Sequence, residues 1–461
     1  MIPLTAGQIA EIVEGVLHGE PRILVTGSPT LDSRNVQPGA LFLAFEGDHV
    51  DGHDFSAQAH AAGASLTLSS KKVESPCVVV PDVARALGRL ASYVRNELAD
   101  LIVIGITGSQ GKTTTKDLLT QVLAMVGKTV SPQGSLNNDL GVPLTLLNCT
   151  RETRFCILEM GARHRGDIER LCKISRPNIG VVLIVGSAHI GEFGSVEVIA
   201  ETKSELIRNI VPGGIAVLGQ YDAFTPKMSE GLPLRTLLFG QTHQATVRAT
   251  DVDLREGRAH FDLVTPAGRE PVALRLIGEH QIANALAVAA ICTGLEIPIE
   301  VIAGALSTAE IASRWRMEIL EVSDMLFIND AYNANPESTK AALRSLTSFA
   351  QARGGQSWAF LGKMHELGAI SSDQHAHVGE FAGFLGVDHL VCVGTAEYSL
   401  RLTDFPDTQI HQFSSKIAAA DLVEYFSQGD VALIKGSRTE KMEELAEELM
   451  KRWTERASEQ E

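Results

Sequence analysis

Residues 101–116 read LIVIGITGSQGKTTTK, and this stretch decides the fold. Leu101 to Ile106 form an unbroken apolar run rich in β-branched side chains, the pattern of a strand covered on both faces in a parallel sheet. Gly108 and Gly111 bracket a tight loop, and from Lys112 onward Leu118, Leu119, Val122, Leu123 and Val126 recur at helical spacing. A helix therefore begins at the loop. Unpaired backbone N–H groups and the positive end of the helix dipole hold anions at such a junction, and Lys112 adds a full charge. Thr113 offers a hydroxyl where Mg²⁺ would sit.

The generic phosphate loop is G-x-x-x-x-G-K-[ST], but the position five before Gly111 is Ile106. TGSQGKTTT keeps the last glycine, the lysine and the threonine and moves the earlier glycine to Gly108. A plain strand-turn-helix corner would need the glycines, yet it leaves Lys112 and three successive threonines unexplained.

Working outward, 461 residues exceed the roughly 250–300 that one hydrophobic core supports, so two or three domains are expected. The formal charge of -16 argues against nonspecific nucleic-acid binding and against docking on an anionic membrane. No apolar run approaches the ~20 residues of a membrane span, and the opening MIPLTAGQIAEI lacks the pattern of a signal peptide. A cytoplasmic protein is expected. The six cysteines show no C-x-x-C pairing and read as reduced packing residues.

Ahead of the loop, Thr5 and Gln8 make a capping box for a short helix, and strand-like runs follow at 23–26, 41–45, 65–68 and 77–80. Asp32, Ser33 and Arg34 lie in a polar loop between the first two. They read equally as a site for a phosphorylated ligand and as an Asp/Ser turn with a solvated arginine. A helix from Asp82 to about Leu98 closes this part.

Beyond the loop, strands and helices alternate to about residue 220. One strand ends at Glu159 and another near His189, and both polar residues fall where open parallel sheets place ligands. Alone, each reads as an ordinary loop or capping residue; beside a phosphate loop, they suit Mg²⁺ with Thr113. Lys203, in a helix, reads by default as solvated. Antiparallel strands at about 246–278 precede a helix with small apolar residues and a narrow apolar face, on which His280 and Asn284 share a side. The strand–helix alternation restarts at 313, with Asn335 and Pro336 as a helix start, and ERASEQE is expected to fray. The fold class is therefore α/β in three domains, at 1–98, 99–312 and 313–461.

Several stretches together resemble the Mur ligases of peptidoglycan synthesis: DSRNVQPGALFLAFEGDHVDGHDF, TGSQGKTTTKDLL, LNNDLGVPLTLL, EMGARHRGDI, GEHQIANALA, NDAYNANPES, GKMHELG and IKGSRTEKME. The resemblance covers nearly the whole chain. It implies a UDP-substrate domain, a central ATP-binding domain and a C-terminal Rossmann-like domain. NDAYNANP and GKMHELG favour the member that joins D-alanyl-D-alanine to UDP-MurNAc-tripeptide using ATP and Mg²⁺. The alternatives are a sister ligase, a folylpolyglutamate synthetase-like ligase, or a non-catalytic ATP-binding regulator.

By the resemblance, Thr107, Gly108, Ser109, Gln110, Gly111, Lys112, Thr113 and Thr114 surround the phosphates, with Lys112 on the β- and γ-phosphates. Thr113, Glu159, His189 and a carbamylated Lys203 hold metal. Asn284, Arg316, Asp330 and Asn335 lie around the nucleotide, with Tyr332 and Asn333 in the same loop, and Arg316 reaches γ-phosphate only after domain closure. Lys112, His189, Lys203 and Arg316 carry catalysis. Ser33, Arg34, Asn137 and Asn138 are substrate contacts, and His365 is a candidate base. The protein is expected to act as a monomer. Trp315 departs from the family, which often has a small residue there.

Overall fold

The computed structural model describes residues 1–47, 50–186, 190–255, 257–310 and 313–460. Among them a nine-stranded sheet grows outward from Ile102–Thr107. That strand runs parallel to Phe155–Glu159 on one side and Ile179–Val182 on the other. The parallel series continues through Ile215–Gly219, Arg235–Gly240 and Val247–Arg255. As the alternating pattern predicts, Arg258–Thr265 and Gly268–Ile277 extend this edge as antiparallel strands. The strand expected to reach His189 ends at Val182, and His189 itself lies outside the described residues.

Helix Gln281–Gly294 corrects another expectation. Its apolar surface is not a narrow face, because Ala285, Leu286, Ala287, Val288, Ala289, Ala290 and Ile291 are all fully buried. A helix apolar all round belongs inside a core, and its alanines let it approach neighbouring backbone closely. Its start is thereby fixed against the phosphate-loop helix, Lys112–Ala124.

The N-terminal residues form a four-stranded sheet, with Val16–His18 as an edge strand that the sequence reading missed. The Thr5 and Gln8 capping box is present, with bonds of 2.9 and 3.2 Å. Helix Val83–Glu97 buries Leu87, Leu90 and Val94 in a core shared with Val142, Leu146 and Leu171 of the central part. The first two parts are therefore packed together.

The last part is a six-stranded sheet in which Met325–Asp330, Val431–Lys435, Ser357–Leu361, His389–Val393 and Gln409–Phe413 run parallel, with Glu318–Val322 antiparallel at one edge. The closing helix, Met442–Gln460, continues into the tail expected to fray. Arg456 explains this by donating to the carbonyls of Val423 and Phe426 at 2.6 and 3.0 Å. All six cysteines are buried and free. Among the described residues no helix is long and apolar enough to cross a membrane.

Candidate nucleotide and metal site

The loop after Ile102–Thr107 turns on Gly111, whose φ of 83° is left-handed. A Cβ there would strike the Asn284 side chain, so the turn needs glycine for both conformation and space. Ser109 clips the loop to the next strand's end, accepting from Gly186 N–H at 2.8 Å and donating to Gly186 O at 3.3 Å. Lys112 folds back to donate to Gly108 O at 2.7 Å. Loss of water around its ammonium group lowers its pKa; Glu159 opposes that shift, and the nearby charge of Arg316 adds to it.

Glu159 is 1% exposed at the end of its strand. It accepts from Thr113 Oγ1 at 2.9 Å, Ser135 Oγ at 2.7 Å and Asn137 Nδ2 at 3.0 Å. Because Thr113 spends its proton on the carboxylate, its oxygen keeps lone pairs for a cation. This all-oxygen donor set suits Mg²⁺. Among the described residues no group of three or more His, Cys, Asp and Glu is close enough to hold a metal by itself, so phosphate oxygens and water would fill the remaining positions.

Lys203 corrects the solvated-helix reading, since it is only 6% exposed. Burial pulls its pKa down to about 7, with help from the charge of Lys112, so a substantial neutral fraction exists near neutral pH. It stands on helix Val196–Arg208 and does not line the cleft.

The cleft itself, of about 540 Å³, runs from the loop to an apolar end at Tyr221 and Phe239. Ser109, Gln110, Gly111, Lys112, Thr113, Thr114, Asn137, Glu159, Asn284, Arg316, Asp330, Tyr332, Asn333 and Asn335 are brought together around it. Asn284 is immobilised: its Nδ2 donates to Gln281 Oε1 at 2.8 Å, and its Oδ1 accepts from Thr115 at 3.3 Å. Gln281 in turn donates to His280 Nε2 at 3.0 Å. Burial lowers the His280 pKa to about 4, so its ring is neutral.

Arg316 reaches this cleft from the last part of the chain. Its guanidinium lies over the Tyr332 ring at 4.0 Å, and its buried Nε has no hydrogen-bond partner among the described residues. An unpartnered buried donor beside a phosphate cradle calls for an anion. With the parts docked, the arginine expected to need closure lines the cleft. Gly191 N–H donates to Glu366 O at 3.1 Å, and Arg163 pairs with Glu366 at 3.5 Å. Trp315 and Met317, on either side of Arg316, have φ of 61° and 51°. Such left-handed backbone costs about 1–3 kcal/mol per bulky residue, which accounts for Trp315 being an unusual choice. Arg438 stacks on the Trp315 ring at 4.6 Å and helps to hold it.

Asp330 is held by Lys435 Nζ at 2.5 Å and accepts from Met317 N–H at 3.1 Å. Lys435, 2% exposed and also bonded to Asn333 O at 2.9 Å, was missed in the sequence although it ends a buried strand. Asn335 lines the cleft but spends its Oδ1 on Ser338 N–H at 2.8 Å as a helix cap.

Other predicted residues stand apart from the cleft. Thr107 and Gly108 lie beneath the loop, and Thr107 Oγ1 is buried without a partner among the described residues. Asn138 Oδ1 accepts from Leu140 and Gly141 N–H at 3.2 and 3.0 Å in the turn that leads into helix Gly141–Leu147. Arg34 makes a two-point pair with Asp32 at 2.8 and 2.9 Å on the surface, the arrangement of the turn reading, and Ser33 donates to Gln58 at 3.2 Å. His365 pairs with Glu440 at 2.5 Å and does not line the cleft.

Comparison with known proteins gives three domain matches. Residues 29–95 match the Mur ligase family catalytic domain, 106–292 the Mur ligase middle domain and 315–438 the Mur ligase glutamate ligase domain. The UDP-N-acetylmuramoyl-tripeptide–D-alanyl-D-alanine ligase of Mycobacterium tuberculosis is 42% identical over 427 residues, covering 86% of this chain and 84% of that one. A crystal structure of MurF from Acinetobacter baumannii superposes with a TM-score of 0.88 at 34% identity, covering 97% of this chain and 99% of that one. MurF ligase from Thermotoga maritima in complex with ADP gives 0.79 at 30% identity, covering 94% and 99%.

Proposed function

The chain belongs to the Mur ligase family, and from that premise we propose that it joins D-alanyl-D-alanine to UDP-N-acetylmuramoyl-tripeptide, with ATP converted to ADP and phosphate, in peptidoglycan precursor synthesis. The observation that carries this reading is the cleft in which Lys112, Glu159 with Thr113, and Arg316 converge.

A carboxylate and an amine do not condense in water without activation. The tripeptide's terminal carboxylate oxygen attacks γ-phosphorus in line, the bond to the ADP oxygen breaks, and an acyl phosphate forms. Lys112 and Arg316 neutralise the charge that develops on the phosphoryl oxygens. Thr113 and Glu159 would hold Mg²⁺, with His189 and a carbamylated Lys203 as the further ligands the family resemblance implies, and an ion bound there would screen the phosphate charge. The neutral amine of D-alanyl-D-alanine then attacks the acyl carbon; phosphate leaves, and the amine gives up a proton. Asn284 and Asp330 border the nucleoside, Asn137 orients Glu159, and Tyr332 orients Arg316.

We assign residues 1–98 to the UDP-bearing substrate, 99–312 to ATP and 313–461 to the incoming dipeptide. Docking of the last part over the loop supports this division, since water must be kept from an acyl phosphate. Phosphate release should require ATP, the UDP-linked tripeptide and D-alanyl-D-alanine together. Undiminished steady release without the dipeptide would overturn the assignment.

A further inference from the structure

Thr113, Asp117 and Gln121 are spaced four apart on helix Lys112–Ala124 and therefore share one face. Thr113 meets the metal-binding carboxylate; the other two hold the chain segment that leads to Arg316. Gln121 matches its side-chain amide to the backbone of Glu310, donating to Glu310 O at 2.6 Å and accepting from Glu310 N–H at 3.1 Å. One turn nearer the loop, Asp117 Oδ2 accepts from Ser313 N–H at 3.1 Å. Its other oxygen pairs with Lys116 at 2.7 Å, both side chains being at most 5% exposed. Lys116 also donates to the carbonyls of Pro132 and Gly134, each at 3.1 Å. A buried charge pair with its hydrogen bonds satisfied is a stiff anchor.

Three residues after Ser313 stands Arg316, flanked by the left-handed backbone of Trp315 and Met317. A strained segment relaxes unless both ends are held. Met317 N–H is held by Asp330 and Trp315 O by Tyr332 N–H at 3.1 Å, while Asp117 and Gln121 fix the approach from the other side.

We propose that Gln121 and Asp117 are positioning residues for phosphoryl transfer: they fix the segment bearing Arg316 to the phosphate-loop helix, at a set distance from Thr113. The proposal rests on the reading of Arg316 as a γ-phosphate partner. It makes the phosphate loop and the arginine of the last domain one rigid frame, so a small shift of this clamp misplaces charge in the transition state rather than weakening nucleotide binding.

The test uses the full chain with Gln121→Leu, which keeps a side chain of similar bulk and removes both bonds to Glu310. The expected result is a fall in kcat of about 5- to 20-fold with the KM for ATP changed less than about two-fold. In an Arg316→Lys background the further fall shrinks to less than about two-fold, because the group being positioned is already impaired. Gln121→Glu, which keeps the acceptor for Glu310 N–H, restores part of kcat, and amide exchange at Ser313 is faster in Gln121→Leu than in wild type. Equal losses in both backgrounds, or an unchanged kcat despite faster exchange, would overturn the clamp. An Arg316→Lys variant with wild-type kcat would instead overturn the reading of Arg316 on which the clamp stands.

Discussion

At the scale of single residues, the site gathers positive charge and keeps water from it. The charge of Arg316 acts on Lys112 and that of Lys112 on Lys203, with Glu159 as the counterweight to Lys112. Lys203 is the residue whose state matters most. With its pKa lowered to about 7 by burial, the neutral amine that reacts with CO₂ is available near neutral pH, and carbamylation would turn a repelled cation into an oxygen ligand. Lys203→Ala should therefore lose turnover and regain part of it with added short-chain carboxylic acids, read by phosphate release. No rescue by any small acid would count against a carboxylate role. The sequence placed Lys203 in the right helix but read it as solvated, because what buries it belongs to other elements. Lys435 escaped for the same reason: its partner Asp330 is 105 positions away.

At the scale of elements, the strands were legible because buried parallel strands are continuous apolar runs. Short or edge strands such as Thr129–Val130 and Gln409–Phe413 carry little of that signal and were passed over. Asn335 shows how a sequence motif can conceal a structural task. It was read both as a helix start and as a nucleotide contact, and its bonds serve the first. Asn335→Ala should lower stability by about 1 kcal/mol, measured by denaturant unfolding, with little change in the KM for ATP. A large rise in that KM with stability intact would restore the nucleotide role.

The stacked pair His389 and His411, 3.1 Å apart between ring nitrogens, gives the last sheet a pH dependence. Burial holds both pKa values below the ordinary 6.5, and each next to a neighbour would charge at a cost. The folded state thus takes up these protons later than the unfolded one. Their contribution is full above about pH 6.5 and is lost as pH falls through the lowered values. Thermal unfolding of wild type should drop more steeply on acidification than that of His411→Gln, whereas parallel curves would show that the pair does not titrate in this way.

At the scale of the whole molecule, the nine-stranded and six-stranded sheets bring a phosphate loop, a buried carboxylate and a distant arginine to one cleft. The chain order of these motifs, and the family they belong to, could be read from the sequence. What could not be read was the docking of the last part, because contacts such as Gly191 with Glu366 join loops far apart in the chain, and neither loop's sequence names its partner. Such docking suits an enzyme that must protect an activated carboxyl group from water. The most direct test is to supply UDP-N-acetylmuramoyl-tripeptide with ¹⁸O in its terminal carboxylate, together with ATP and D-alanyl-D-alanine, and to weigh the phosphate released. An acyl phosphate predicts one ¹⁸O in each phosphate formed; phosphate free of label, released as the amide bond forms, would contradict the account.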